Sequence, residues 1–365
     1  MRALDWAKIH EKSGFSVAAL PLAALSFLYG AGVRLRVRTF GNSRRKSLPG
    51  FVVSMGNLTT GGTGKTPATC MLAEWAVNEG YRVAVLSRGY GSRSKKKILE
   101  VSDERGISAT PAEAGDEPYL LARRLQGVPV IISKRRYPAG LLAHEKYGTN
   151  FFILDDGFQH LGLERHLDLV LMDATSPFGN GHLLPWGPLR EPVGHLNRAD
   201  AFLLTRSNRA SLESGRDPKR LLQRRFPKKP VFESVHVPKR IVFPNRGEDH
   251  APDFLNEKRV VAFAGIARPD AFRDTLKALG AEPVAFKAFR DHHSFTEAEI
   301  RRLNEDIARL NADCLVTTEK DWVRLKDLAV ECPNLAFLSI TFELLGEHEQ
   351  FFSMIREKVK QGQSP

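Results

Sequence analysis

A chain of 365 residues with 42% apolar and 26% charged residues has material for two buried cores and is no disordered polymer. Its formal charge of +12 calls for an anionic partner: nucleic acid, an acidic membrane surface or a phosphorylated substrate. Three widely spaced cysteines, Cys70, Cys314 and Cys332, exclude a disulfide framework and a cysteine zinc site and suit a reducing compartment.

From Gly14 to Val33 the chain runs twenty residues without a charge, and the next thirteen, "RLRVRTFGNSRRK", hold six basic residues and no acid. Twenty apolar residues can just span a hydrocarbon core, and the basic collar would keep the following chain in the cytoplasm. The segment is expected to be membrane-associated, as a span or as an interfacial helix. The plainer reading is a core helix rich in Ala and interrupted by Pro21.

Beyond Lys46 short apolar runs alternate with helical stretches. "FVVSMG" (51–56), "RVAVLS" (82–87), "VPVIIS" (128–133), "FFILDD" (151–156), "LDLVLMD" (167–173) and "AFLLT" (201–205) read as buried strands. Lys65 to Glu79, Glu117 to Gln126 and Arg135 to Tyr147 read as helices. Such alternation predicts a mostly parallel sheet covered on both faces, with ligands beyond the carboxyl ends of its strands. A basic, polar stretch follows from Arg206 to Lys229. Two β-rich pieces, "PVFESVHV" and "KRIVFP", then lead to a second α/β run that starts at Lys258 and extends through "DCLVTTEKD".

The expected fold is therefore α/β: a P-loop kinase-type, mostly parallel sheet with helices on both faces, a smaller C-terminal α/β domain and an N-terminal membrane-associated helix. The expected boundaries are 1–46 for the apolar helix and collar, 47–228 for the nucleotide-binding domain, 229–257 for a β linker and 258–365 for the C-terminal domain.

"SMGNLTTGGTGKTP" follows an apolar strand and opens a helix, the context in which a glycine-rich loop holds phosphates. Its backbone N–H groups, from Thr59, Thr60, Gly61, Gly62, Thr63 and Gly64 onward, would converge on phosphate oxygens, and the helix dipole adds positive potential. Lys65 would reach the β- and γ-phosphates, and Thr66 would place its hydroxyl on Mg²⁺. Pro67 sits where its missing N–H costs nothing. The pattern G-x-x-x-x-G-K-[ST] fails at its first place, where Thr59 stands. A Mg²⁺ ion bound there also needs a strand-end carboxylate, which Asp155 and Asp156 supply in "ILDDGFQH".

Seven motifs in this order, "GNLTTGGTGKTP", "SRGYG", "GDEP", "ILDDGFQH", "HLLPWGPLREP", "DHHSF" and "TTEKD", resemble the tetraacyldisaccharide 4'-kinases, the lipid A 4'-kinases of Gram-negative bacteria. The missing first glycine belongs to that family's pattern. The resemblance covers most of the chain. It implies ATP- and Mg²⁺-dependent transfer of the γ-phosphate to the 4'-hydroxyl of an acylated glucosamine disaccharide 1-phosphate, giving lipid IV-A. It places the reaction at the cytoplasmic face of the bacterial inner membrane.

A sugar hydroxyl is a weak nucleophile and needs a base. Asp116 of "GDEP" is the candidate, and the resemblance implies a dyad with a histidine of "DHHSF". Spacing does not separate His292 from His293; the family motif, which begins Asp-His, selects His292. A base split between two domains would require their closure, which excludes water.

Arg190 is the candidate to stabilise charge on the transferring phosphoryl group, and Glu191 to complete the Mg²⁺ shell. Arg88, Tyr90, Gln159 and His160 are candidate contacts to phosphate or sugar. "TTEKD" is read as shaping the second domain, with no chemistry assigned, and Lys134, Arg135 and Arg136 as a solvated helix start. Two alternatives stand at this level: a P-loop ATPase or small-metabolite kinase with Gly14–Val33 packed in its core, and a membrane-tethered nucleotide switch that needs no acceptor base. No motif supports a nucleic-acid partner, and no obligate protein partner is expected.

Overall fold

The computed structural model describes residues 20–40, 45–209, 217–325, 328 and 332–363. Residues 14–19 of the apolar segment and 41–44 of the basic collar lie outside them.

One sheet runs through the molecule in the order β12-β11-β13-β14-β9-β8-β7-β1-β6-β2-β5-β3-β4. Its nucleotide half comprises β1 (Phe51–Asn57), β2 (Val83–Ser87), β5 (Val130–Ser133), β6 (Phe151–Asp155), β7 (Leu167–Asp173) and β8 (Ala201–Thr205), all parallel. The edge strands β3 (Ile98–Asp103) and β4 (Gly106–Ile107) are antiparallel additions that the polar sequence around them concealed. In the other half β11 (Arg259–Ala264), β12 (Glu282–Ala288), β13 (Cys314–Thr318) and β14 (Leu335–Leu344) are mutually parallel.

The two β pieces expected between the halves form one strand, β9 (Val231–Phe243), parallel to β8 on one side and antiparallel to β14 on the other. Pro238 is accommodated at an irregularity in the β14 pairing, where a missing N–H costs least. The short β10 (Glu248–His250) pairs with the end of β9.

Alternation of side chains builds the layers. Along β1, Phe51, Val53 and Met55 enter the largest core, while Val52 enters a second core with Leu154, Ala139 and Ala143 on the opposite face. On the first face α2 (Lys65–Asn78), α4 (Asp116–Arg124) and α10 (His348–Gln363) cover the sheet; on the second, α5 (Arg136–Tyr147). Before α4 lies the single turn α3 (Pro111–Ala114), started by a capping box between Thr110 and Glu113. The remaining helices are α6 (Pro218–Arg225), α7 (Pro269–Ala278), α8 (Glu297–Arg309) and α9 (Glu319–Leu325).

The first helix, α1 (Leu20–Thr39), is not a core helix. Only Ser26 and Gly30 of it are buried, while Leu25, Phe27, Leu28 and Leu35 are 53–72% exposed. A fully buried side chain of this kind gains roughly 1.5–3 kcal/mol, so water leaves several kcal/mol unclaimed that a bilayer would supply. By length and composition α1 can cross a membrane, alone in this among the described residues.

Candidate active site

The phosphate loop lies between β1 and α2. Gly64 adopts a left-handed φ of 81°, and a Cβ there would fall 2.5 Å from Nε2 of His236. Only glycine meets both demands. Gly56 is needed for a different reason: its Cβ would strike Phe158, so the end of β1 and the turn after β6 close up tightly.

The "WGPLREP" segment is stitched to the start of the loop. Thr60 N–H donates to the Pro188 carbonyl (2.8 Å), Arg190 N–H donates to the Leu58 carbonyl (2.8 Å), and Thr59 pairs with Leu189. That stitching carries Arg190 to Asp156. Its Nη1 donates to both Asp156 oxygens at 2.9 Å, and Lys65 Nζ stands 3.4 Å from Oδ1. Asp156 has a left-handed φ of 51°, a conformation that costs a side-chain-bearing residue about 1 kcal/mol or more and that the two cations hold in place. Burial would raise its pKa, but Lys65 and Arg190 outweigh burial and hold the carboxyl at about 2.

Asp155 differs completely. It is buried, its Oδ2 accepts a hydrogen bond from Ser87 Oγ (3.0 Å), and its Oδ1 has no partner. Burial first, then the charges of Glu117 and Asp156, push its carboxyl up to about 7. An orphaned, destabilised carboxylate oxygen beside the phosphate loop is the chemistry a hard cation relieves, so these residues fit Mg²⁺. Among the described residues no group of three or more His, Cys, Asp or Glu gathers as a metal cage. Mg²⁺ does not require one, since it takes one or two carboxylates with phosphate and water.

Two expectations need correction here. Glu191 is buried, with its carboxylate held by His195 Nδ1 (2.7 Å) and by both terminal nitrogens of Arg198 (3.0 and 3.2 Å). Its oxygens are spent on loop structure and are not free for a metal. Arg136 is not solvated with Lys134 and Arg135, which are exposed. It is buried behind Asp155, and burial lowers its pKa to about 10 despite the nearby aspartates.

Across the cleft Asp116 opens α4. Its Oδ2 accepts from His292 Nδ1 at 3.1 Å, so the dyad residues, 176 positions apart, are in contact. His292 reaches it from the loop after β12 with a left-handed φ of 59°. The same Oδ2 accepts from Arg324 Nε at 2.6 Å. Burial would raise the Asp116 pKa, but the His292 hydrogen bond and the Arg324 charge hold it at about 2. The histidine and the arginine thus make this carboxylate less basic. Next to it, burial pulls Glu117 upward, but Lys320 and the phosphate-loop Lys65 outweigh it and keep its carboxyl low. The same electrostatic reach ties α4 to the loop lysine.

The remaining candidates are spread around this cleft. Tyr90 is 74% exposed and sets its ring edge-on to His292 at 5.9 Å; Arg88 is exposed beside it. Gln159 Nε2 donates to the Asn57 carbonyl (3.0 Å). His160 is half-buried, and burial together with Arg136, Arg165 and other arginines lowers its pKa to about 4. Arg165 caps the carbonyls of Gly157, Phe158 and His160 and so fixes that turn.

Sequence reasoning missed a second polar cluster at the loop. Asp173, at the end of β7, is clasped by Arg206 and by Arg268 (3.0 Å), and Arg206 Nη2 donates to the Gly62 carbonyl (2.6 Å). An aspartate closing an apolar strand was the available signal.

A family model described as tetraacyldisaccharide-1-P 4'-kinase matches residues 18–360. The chain belongs to this family. Among curated tetraacyldisaccharide 4'-kinases, that of Syntrophus aciditrophicus is 38% identical over 98% of this chain and 97% of its own. That of Anaeromyxobacter sp. strain K is 46% identical over 80% and 78%. The crystal structure of the family member from Aquifex aeolicus in complex with ATP superposes with a TM-score of 0.74 at 34% identity, covering 94% of this chain and 98% of that one. The protein is thus a tetraacyldisaccharide 4'-kinase of lipid A biosynthesis, and its family substrate is a tetraacyldisaccharide 1-phosphate.

Proposed function

We propose that this 4'-kinase uses ATP and Mg²⁺, with Asp116 as the base and the glycine-rich loop as the phosphate cradle. The carrying observation is the Asp116–His292 contact, which joins residues of the two halves of the sheet next to the loop. ATP as donor is supported by the loop itself and by the ATP bound to the Aquifex relative. Thr59 and Thr60 are paired with Leu189 and Pro188, so the backbone N–H groups from Gly61 to Thr66 bind the phosphates, and Lys65 exchanges Asp156 for the β- and γ-phosphates. Arg190, drawn to the loop by its backbone bonds, neutralises charge on the moving phosphoryl group. Thr66, Asp155 and Asp156 would hold Mg²⁺, which supplies charge neutralisation between the phosphates when bound.

The acceptor 4'-hydroxyl oxygen bonds to the γ-phosphorus as the bridge to the β-phosphate breaks, and ADP leaves. The hydroxyl proton passes to Asp116, which is ionised at any neutral pH because its pKa is held so low. His292 Nδ1 faces Asp116 Oδ2 at 3.1 Å and Arg324 Nη2 at 3.4 Å, while Lys320 Nζ stands 3.3 Å from Nε2, so the ring is held on both edges. His292 thus orients the carboxylate. Tyr90, Arg88, Gln159 and His160 would contact the acceptor.

The exposed apolar face of α1 supports association with the inner membrane, and the arginines at its C-terminal end support a cytoplasmic catalytic face. An anionic glycolipid accounts for the net charge without a nucleic acid or an obligate protein partner. The test is incubation of radiolabelled ATP with tetraacyldisaccharide 1-phosphate in detergent micelles. Wild type yields the bis-phosphorylated lipid, and Asp116→Ala loses about 10²–10⁴ in rate while retaining ATP binding. Transfer by Asp116→Ala at the wild-type rate would sink the base assignment.

A further inference from the structure

The motif "TTEKD" closes β13 with its two threonines and opens α9 with Glu319, and the charged residues Glu319, Lys320 and Arg324 of that helix reach α4 or the base dyad. Glu319 Oε2 accepts from Arg124 Nε of α4 (3.0 Å). Lys320 Nζ donates to Glu117 Oε1 of α4 (3.1 Å) and approaches His292 Nε2 (3.3 Å). Arg123 of α4 lies over the Trp322 ring at 4.0 Å. Arg324 is enclosed, with 6% of its side chain exposed.

Three anchors leave the Arg324 guanidinium no freedom. Nη1 donates to Asp321 Oδ1 (2.9 Å) and to the Gly265 carbonyl (2.8 Å), and Nε donates to Asp116 Oδ2 (2.6 Å). Asp321 is itself immobile: it is fully buried, and its Oδ2 accepts from Gly265 N–H (3.0 Å) and Thr318 Oγ1 (2.6 Å). The Gly265 carbonyl also accepts from the His292 backbone N–H (3.2 Å). One rigid node in the C-terminal half therefore places both Arg324 and His292. Among the described residues every hydrogen bond to the Asp116 carboxylate lands on Oδ2, which leaves Oδ1 for a substrate hydroxyl.

We propose that Arg324 is the positioning residue of the base: it acts through Asp116, locking Oδ2 so that Oδ1 faces the acceptor, and it latches α4 to α9 while doing so. The inference rests on the reading of Asp116 as base and deepens it. A guanidinium suits the task because its planar fork makes three directed bonds at once, which an ammonium cannot reproduce. The charged groups facing Asp116 are His292 and Arg324 directly, Glu117 on its own helix, and Lys320, Asp321 and Asp291 from the other half. Arg324 is the cation nearest to it, so its removal raises the Asp116 pKa from about 2 toward the ordinary carboxylate range.

The experiment uses the full-length protein in micelles and compares Arg324→Met, Arg324→Lys and Asp116→Asn. Arg324→Met is expected to lower kcat about ten- to a hundred-fold, the cost of a misplaced base, with KM for ATP unchanged. Its rate profile should gain an acid limb near pH 4 that wild type lacks, and Arg324→Lys should recover part of kcat. Wild-type kcat and an unmoved limb in Arg324→Met, with Asp116→Asn inactive, would overturn the role of Arg324 alone. An active Asp116→Asn would instead overturn the base itself. A kcat loss matching a loss of ATP-binding capacity, with no change of pH profile, marks a purely structural arginine and also overturns the proposal. If Arg324→Met does not fold, Asp321→Asn keeps the arginine and frees it: a lower kcat with intact ATP binding supports the proposal, and wild-type kcat rejects it.

Discussion

The phosphate loop and the base stand side by side but are held in unlike ways. The loop is local: one stretch from Gly56 to Thr66 shapes itself through glycines that tolerate φ of 103° at Gly61 and 81° at Gly64. The base is assembled from afar, with Asp116 held by residues 176 and 208 positions later. A local device is built from backbone and survives in sequence as a motif. A remote one is built from ion pairs and is visible only after folding. The two therefore fail differently: damage to the loop should take nucleotide binding with it, whereas damage to the base should spare binding and stop transfer.

Arg190 is the place to break this contrast most severely, because it serves the loop by its backbone and the chemistry by its side chain. Arg190→Ala keeps the backbone bonds, so ATP affinity should hold while transfer falls about 10²–10³-fold, as measured by single-turnover rates beside nucleotide titration. An equal loss of affinity would place Arg190 on the binding side.

Glu191 sharpens the comparison, being adjacent in sequence yet remote in role. Its buried pairs with Arg198 and His195 predict that Glu191→Gln costs roughly 1–3 kcal/mol in denaturant unfolding. The Mg²⁺ concentration for half-maximal rate should stay unchanged. A shift in that concentration would return the residue to the metal shell.

The smallest effect concerns Asp155. Its carboxyl titrates near 7 in the fold and near 4 unfolded, so between those values the folded state binds the extra proton. Against the opposite slope of His160 and His236, whose pKa values the fold lowers, Asp155 should therefore add, without Mg²⁺ and nucleotide, a stabilising slope as pH falls from 7.5 toward 5. Asp155→Asn should abolish that slope and add about 1 kcal/mol at pH 7.5 by removing an unpaired buried charge. Thermal melts across pH, with and without Mg²⁺, check both statements.

Much of the nucleotide half was legible because buried parallel strands are continuous apolar runs; "AFLLT" and "LDLVLMD" became β8 and β7 residue for residue. The strand β3 was not, since "KKKILEVSD" carries charges on the face an edge strand leaves to water. The site was legible wherever a motif is contiguous. It was not where burial decides, as in Arg136 behind Asp155, or where a partner lies far off in the chain, as in Arg324. Glu191 misled because a carboxylate beside Arg190 looks available until Arg198 is seen to occupy it.

The helix α1 also touches the catalytic loops. Ser26 Oγ donates to the Leu183 carbonyl (2.9 Å), Tyr29 Oη to the Arg190 carbonyl (2.8 Å) and Arg36 Nη2 to the Gln159 carbonyl (3.2 Å). Trimming the chain at Phe40 to obtain a detergent-free protein would strip three donors from the segments bearing Arg190 and Gln159. Such a truncated kinase should turn over slowly even with a short-chain, water-soluble acceptor, because what it lacks is a strut of its own active centre as well as a foothold in lipid.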